Sequence, residues 1–203
     1  MHWDRLFEDL EGQLSSEWEA ERAVLDAESE RLRIARLDLR SRLRALCTAE
    51  ATATIDLTDG RRLPVSMHRL GADWIAVSSR SATGAQVAAS ALFIPLHAIA
   101  GLTTDHGMIL ASLEEPADTG RALRERMTLG FVLRDLARRR IPVRLSTHSG
   151  EDIYGTIDRA AADHLDLAMH DPGEARLAAA VRGHRIVPFA SLVEVRTPGS
   201  QLP

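Results

Sequence analysis

Five side chains able to carry acid–base or metal chemistry fall within nine residues: Asp163, His164, Asp166, His170 and Asp171. Imidazole beside carboxylate can shuttle a proton or hold a divalent ion. Their spacing divides them. Alternate residues of a strand share a face, so His164 and Asp166 project together, while Asp163 occupies a turn where its carboxylate satisfies backbone amides and His170 falls beyond the strand. No second constellation joins them, and the chain lacks a glycine-rich phosphate loop, a nucleophile elbow and a His-Glu-x-x-His pattern. The expectation is a protein that is not an enzyme, with no catalytic residues, no cofactor and no metal. Cys47 is the only cysteine, which excludes an internal disulfide and a cysteine zinc site.

The other chemistry is cationic. All 25 basic residues are Arg, a pattern that GC-rich codon usage produces, and the chain contains neither Lys nor Asn. Arg134, Arg138, Arg139 and Arg140 put four cations within two turns of a predicted helix, where they could follow phosphates with salt-dependent affinity. The same cluster also suits a helix C-terminus, pairing with carboxylates, or docking of an acidic helix. Arg182 and Arg185 flank a Gly-containing loop and form a second candidate contact for a base or phosphate. A net charge of −4 and a pI near 6.1 weigh against nucleic acid, as does the scarcity of stacking aromatics: Tyr154 is the only Tyr, and Trp74 and Phe189 fall at core positions.

These residues need elements to position them. Thr119 to Arg140 reads as a linking helix capped by Thr119, with Leu123, Met127, Phe131 or Val132, and Leu136 on its buried face, and Pro142 stops it. Residues 1–48 read as a charged amphipathic helix, continuous or folded as a hairpin. Trp3, Phe7, Leu10, Leu14 and Trp18 form one stripe, and Trp18, Leu25, Leu32, Leu39 and Leu46 recur every seven residues. The companion seam of a regular zipper is missing, since Glu21, Glu28, Ala35 and Arg42 follow three residues later. Ten acids and two Arg in residues 1–30 give way to six Arg and one Asp in residues 31–46. That split favours antiparallel self-association, although a solvated helix explains it equally well.

From Ala51 the apolar period becomes two. Ala53, Ile55 and Leu57 lead through Thr58-Asp59-Gly60-Arg61 to Leu63, Val65 and Met67, a hairpin. Gly71-Ala72-Asp73 turns the chain into Trp74-Ile75-Ala76-Val77, and Phe93-Ile94-Pro95-Leu96 leads to Ile99 and Leu102. Ninety residues on, the pattern returns: Val143, Leu145, Gly150, Ile153, Ile157, Asp163, Leu165 and Leu167 stand where Ala53, Ile55, Gly60, Leu63, Met67, Asp73, Ile75 and Val77 stood. After a three-residue insertion the offset is 93, which places Pro188, Phe189, Leu192 and Val195 on Pro95, Leu96, Ile99 and Leu102. One length change in a loop keeps every core position in register, the mark of an internal duplication.

Gly150, Gly155 and Asp163 stand where the first Sm motif has its two Gly and its Asp, and Val181-Arg182-Gly183-His184-Arg185-Ile186 is similar to the second Sm motif. The repeat thus resembles the Sm-like small β-barrels of the SH3-type group over a little more than half the chain. The resemblance implies two barrels and, for Arg182 and Arg185, contact with RNA. The family's RNA-binding Asn is absent, with Asp166 nearest its place, and the first repeat has Ser90-Ala91 in place of Arg-Gly and Val65 in place of the second Gly.

The fold class expected is α+β: an N-terminal helix (1–48), a first Sm-like barrel (49–105), a connector (106–118), the Arg-rich linking helix (119–140), a second Sm-like barrel (141–197) and a disordered tail (198–203). No apolar run spans a membrane, and residues 1–10 carry Asp4, Glu8 and Asp9 without an apolar core, so the expectation is a cytoplasmic protein without a signal peptide. The expected function is protein interaction, assembly or regulation, as a homo-oligomer (a dimer) or with a protein partner. RNA or DNA binding through Arg134, Arg138, Arg139, Arg140, Arg182 and Arg185 is the alternative.

Overall fold

The computed structural model describes residues 2–80, 86–114, 123–174, 177 and 179–198. The chain divides into two compact units, Met1–Leu39 and Arg40–Pro203. The first consists of helix α1 (His2–Ala35) and the residues that end it. At its end Arg36 N–H and Leu37 N–H bond to the carbonyls of Arg33 and Ile34, both at 3.1 Å, a tightened last turn. A second helix, α2 (Leu39–Thr48), follows. The predicted helix over 1–48 is therefore two helices, and the seven-residue recurrence is not one seam: Trp18, Leu25 and Leu32 are exposed on α1, whereas Leu46 of α2 is buried.

Among the described residues the second unit carries ten antiparallel strands: β1 (Thr52–Leu57), β2 (Arg62–Leu70), β3 (Trp74–Arg80), β4 (Gln86–Pro95), β5 (Ile99–Thr103), β6 (Pro142–Thr147), β7 (Asp152–Ala160), β8 (His164–Met169), β9 (Gly183–Pro188) and β10 (Leu192–Thr197). Helix α3 (His106–Ala111) follows β5, and helix α4 (Leu129–Arg138) precedes β6. The strands form one sheet in the order β5-β1-β2-β3-β4-β10-β6-β7-β8-β9. The fold is α+β, as the sequence predicts.

The duplication extends into backbone detail. Leu57 pairs with Ile99 across a bulge in the first repeat, and Thr147 pairs with Leu192 across the same bulge in the second. A second bulge falls between Met67 and Arg69, and again between Ile157 and Arg159. Gly60 and Gly150 both take the left-handed conformation that these hairpin turns need, with φ of 86° and 80°. The repeat also begins earlier than its apolar alternation shows. Helix α2 maps onto α4 with the same 90-residue offset, Leu43, Leu46 and Cys47 falling on Leu133, Leu136 and Ala137, all of them buried. Each repeat is thus a helix followed by five strands.

Helix α4 is shorter than predicted. Its cap is Thr128, whose hydroxyl accepts from Phe131 N–H, while Thr119 lies outside the described residues. Residues Leu123–Arg126 form a 3₁₀ turn, and the carbonyl of Met127 is held by Ala72 N–H at 2.8 Å and by the Trp74 indole N–H at 2.9 Å. Those bonds fix an extended path into the cap, so no helix runs through it. The buried face is Leu129, Val132, Leu133 and Leu136, and Phe131 is half exposed. The tail beyond Pro198 lies outside the described residues.

Two cores result. One lies in the first repeat, with Leu43, Ile55, Met67, Ile75, Leu92 and Ile94 among its residues. The other joins the second repeat to the outer face of β3 and β4, so that Trp74, Ala76, Ala91 and Phe93 pack with Leu129, Val132, Leu133, Leu145 and Val195. Among the described residues no helix is long and apolar enough to cross a membrane.

Candidate functional site

Each candidate cation has a partner within its own unit. Arg138 and Arg139 both bond to Asp135, one turn back on α4, at 2.6 and 3.5 Å. Arg140 reaches Asp158 on β7 at 2.8 Å, and Arg134 donates to the carbonyl of Ala161 at 3.2 Å. Arg182 pairs with Asp171, and Arg185 grips Glu151 with both terminal nitrogens at 2.6 and 3.2 Å. The Arg138 hydrogen bond holds the Asp135 carboxyl below the ordinary carboxylate range, and Arg185 does the same for Glu151. The six residues form two groups, one at the end of α4 and one around β9.

The acid–base cluster disperses in the same way. His164 Nδ1 lies 2.7 Å from the neighbouring Asp163 carboxylate. His170 is buried, with Nε2 at 2.9 Å from the Thr156 hydroxyl and Nδ1 at 3.1 Å from the Asp171 carbonyl. A carbonyl can only accept, so Nδ1–H donates to it, and the Thr156 hydroxyl pairs with Nε2. Among the described residues no group of three His, Cys, Asp or Glu is placed to hold a metal ion.

The Arg-rich helix α2 that opens the first repeat is also engaged. Arg40 donates to the carbonyls of Gly71, Ala72 and Glu125 at 3.0, 3.2 and 2.7 Å, and Arg44 pairs with the Glu125 carboxylate at 2.9 Å. Arg42 bonds to the Ser112 hydroxyl at 2.9 Å. Half of the Arg block expected to face an acidic helix therefore serves the second unit instead.

The most developed polar site was not foreseen from sequence. Glu194 of β10 is buried between Arg61 at 3.0 Å and Arg196 at 2.8 Å, and Arg61 also holds Asp59 at 2.7 Å. Arg61 belongs to the first repeat and Glu194 to the second, so this cluster marks the junction between them. There β4 and β10 pair directly, Phe93 opposite Val195. Asp73 accepts from Leu129 N–H at 2.6 Å, tying the first repeat to the start of α4. One sequence signal pointed here: Ala91-Leu92-Phe93-Ile94 is apolar without alternation, as a strand buried on both faces must be.

No family model, curated protein or solved structure matches the chain.

Proposed function

We propose that the chain is a non-enzymatic assembly protein of the cytoplasm, in which α1 mediates self-association and each repeat is a small barrel of the Sm-like kind that presents an interaction surface. One observation carries this reading: α1 exposes Trp18 by 66%, Leu25 by 60% and Leu32 by 55%, a row of large apolar residues at seven-residue spacing. Such a row on a helix of 34 residues suits burial against another helix. Arg31 and Arg33 near its C-terminal end and the acids before them favour an antiparallel partner. The engaged Arg of the second unit support the same reading, since cations already bonded to carboxylates have less to offer phosphate.

The test is light scattering on the full chain. Wild type should have a mass above that of one chain, and Trp18→Glu with Leu25→Glu should lower it without loss of secondary structure. A single-chain mass for wild type at high concentration would overturn the reading.

Nucleic-acid binding is the second reading, favoured by the exposure that Arg138 and Arg182 keep despite their partners, 77% and 68% of their side chains. Fluorescence anisotropy with mixed RNA and DNA oligonucleotides at low salt decides it. Micromolar binding that salt weakens and that Arg138→Ala, Arg139→Ala and Arg140→Ala together abolish would establish it. Absence of such binding removes it.

A further inference from the structure

In the first repeat, helix α2 and the turn after β2 hold an extended segment, residues 125–129, on its way into α4. The Glu125 carbonyl accepts from Arg40 at 2.7 Å and its carboxylate from Arg44 at 2.9 Å. Two residues on, the Met127 carbonyl is held by Ala72 N–H and the Trp74 indole, and two further on Leu129 N–H donates to the Asp73 carboxylate. Gly71 and Trp74, in the same turn, are buried.

The second repeat keeps the main anchors and leaves them open. With the 90-residue offset Arg44, Ala72 and Asp73 become Arg134, Ala162 and Asp163, and Gly71 becomes Ala161. All four are exposed, Asp163 by 88% of its side chain. Arg134 donates to the Ala161 carbonyl at 3.2 Å, as Arg40 does to Gly71 at 3.0 Å, so its guanidinium already lies against the turn. Among the described residues Arg134 bonds to that carbonyl and not to a carboxylate, which leaves its charge for a partner. Phe131, one turn earlier on α4, stands in place of Ser41 and adds an exposed apolar anchor.

Two contacts are not repeated. Gly130 replaces Arg40, and His164 replaces Trp74 with its Nδ1 already on Asp163 at 2.7 Å. A ligand here is therefore held more weakly than the segment in the first repeat, which is also tethered to its site.

The contacts in the first repeat define the occupant. It needs a carboxylate for Arg134, a backbone carbonyl two residues on for Ala162 N–H, and a helix start two residues further whose N–H meets Asp163. A second copy of the chain does not supply this. The residues that precede α2 as 125–128 precede α4 are 35–38, where Ala35 takes the place of Glu125 and is the last residue of α1. It has no carboxylate, and it is helical where the template is extended.

We propose that Arg134 and Phe131 of α4, with the turn at residues 161–163, form a docking site for a different protein, through an acidic extended segment of that protein that leads into a helix. This deepens the part of the reading above in which the repeats present interaction surfaces, and it does not involve α1. The carboxylate fixes the segment on Arg134, the turn fixes its register through backbone bonds, and an apolar side chain packs on Phe131.

The experiment titrates the full-length chain into a fluorescein-labelled peptide with the sequence of residues 123–134 and follows anisotropy. Binding should saturate, and Arg134→Glu should weaken it at least about tenfold. Asp163→Ala should weaken it less. A peptide carrying Glu125→Lys should bind wild type poorly and should regain affinity for the Arg134→Glu chain. Arg138→Glu, one turn along the same helix, should leave binding nearly unchanged. No saturation at the highest soluble concentration overturns the site. So does an equal loss from Arg138→Glu, which would mean diffuse attraction to the Arg cluster. Loss from Arg44→Glu with none from Arg134→Glu would place the peptide on the first repeat and overturns it too. The α1 reading fails on a separate result, a single-chain mass for wild type, so the two failures are distinguishable.

Discussion

Glu50 and Arg140 stand ninety residues apart and share one unusual backbone state, with φ of 47° and 54°, each just after the helix that opens its repeat. Ala51 N–H and Ile141 N–H then bond back to the carbonyls of Leu46 and Leu136, closing the helix end in the same way. A left-handed residue with a Cβ costs roughly 1–2 kcal/mol, part of which glycine returns as entropy in the unfolded chain. Glu50→Gly should therefore raise stability by about 0.5–1 kcal/mol in denaturant unfolding. Arg140→Gly should gain less, because it gives up the Asp158 pair. An equal or larger gain at Arg140 would contradict this account.

Gly155 illustrates where the repeats part. A Cβ there would lie 2.3 Å from the carbonyl oxygen of Ala168, so the strands β7 and β8 approach more closely than a side chain allows. Its counterpart in the first repeat is Val65, which is buried without such crowding. Gly155→Ala should cost at least about 2 kcal/mol through forced displacement of backbone. Val65→Ala in the matching place should instead lose packing. Thermal unfolding of both variants checks the pair, and a tolerated Gly155→Ala would show that β7 and β8 can separate.

How much of this was legible in sequence follows from what each signal measures. Alternation found the strands and their register because one face of most strands is buried, and the 90-residue offset survived because core positions tolerate little change in volume. Alternation is silent about a helix, so the equivalence of α2 and α4 stayed hidden although Leu43 and Leu133 carry it. The break before Leu39 was hidden because the seven-residue row of Leu runs across it. The partners of Arg140, Arg182 and Arg185 were beyond reach because Asp158, Asp171 and Glu151 come from other strands or loops, and the Arg61–Glu194 contact spans 133 residues.

Cys47 should behave as a core residue. Burial pushes its thiol up to about 12, with the nearby Glu125 carboxylate adding to the effect. At pH 8 the thiolate is then scarce, and a thiol-specific reagent should label the native chain far more slowly than the unfolded one. Cys47→Ala should fold, since Ala137 fills the equivalent position in the second repeat, at a cost of about 1–2 kcal/mol for the lost sulfur. Rapid labelling of native protein would place the thiol outside the core.

Asp135 supplies a pH-dependent contribution at the end of α4. Its folded-state carboxyl is lowered by the Arg138 hydrogen bond and then by Arg139, so it binds its proton less readily than in the unfolded chain, where the ordinary value is about 3.9. The stabilisation is accordingly complete above that unfolded value and is lost as pH falls through the lowered folded value. In a carboxyl titration followed by NMR, Asp135 should have a midpoint below the ordinary one, and Arg138→Ala should move it back up. A midpoint indifferent to Arg138 would mean that the pair is not formed in solution.

The junction at Glu194 should be the most sensitive polar site in the second unit. Glu194 is 1% exposed, and its carboxylate accepts from Arg61 and from Nε of Arg196, with Nη2 of Arg196 at 2.8 Å, while a second terminal nitrogen of Arg61 is buried with no partner among the described residues. Glu194→Gln keeps the shape but leaves two guanidinium groups without a counter-charge. Both Arg are more than a third exposed, so water recovers part of the loss, and the expected cost is about 1–3 kcal/mol. Arg196→Gln should cost less, because Glu194 retains Arg61. The location of the damage distinguishes this from general weakening. Amide exchange should accelerate at Ala91–Phe93 and Val195–Thr197, where the repeats pair, before it does at Ile55 and Leu63 inside the first repeat. Uniform acceleration would mean that Glu194 supports the whole unit and not the joint.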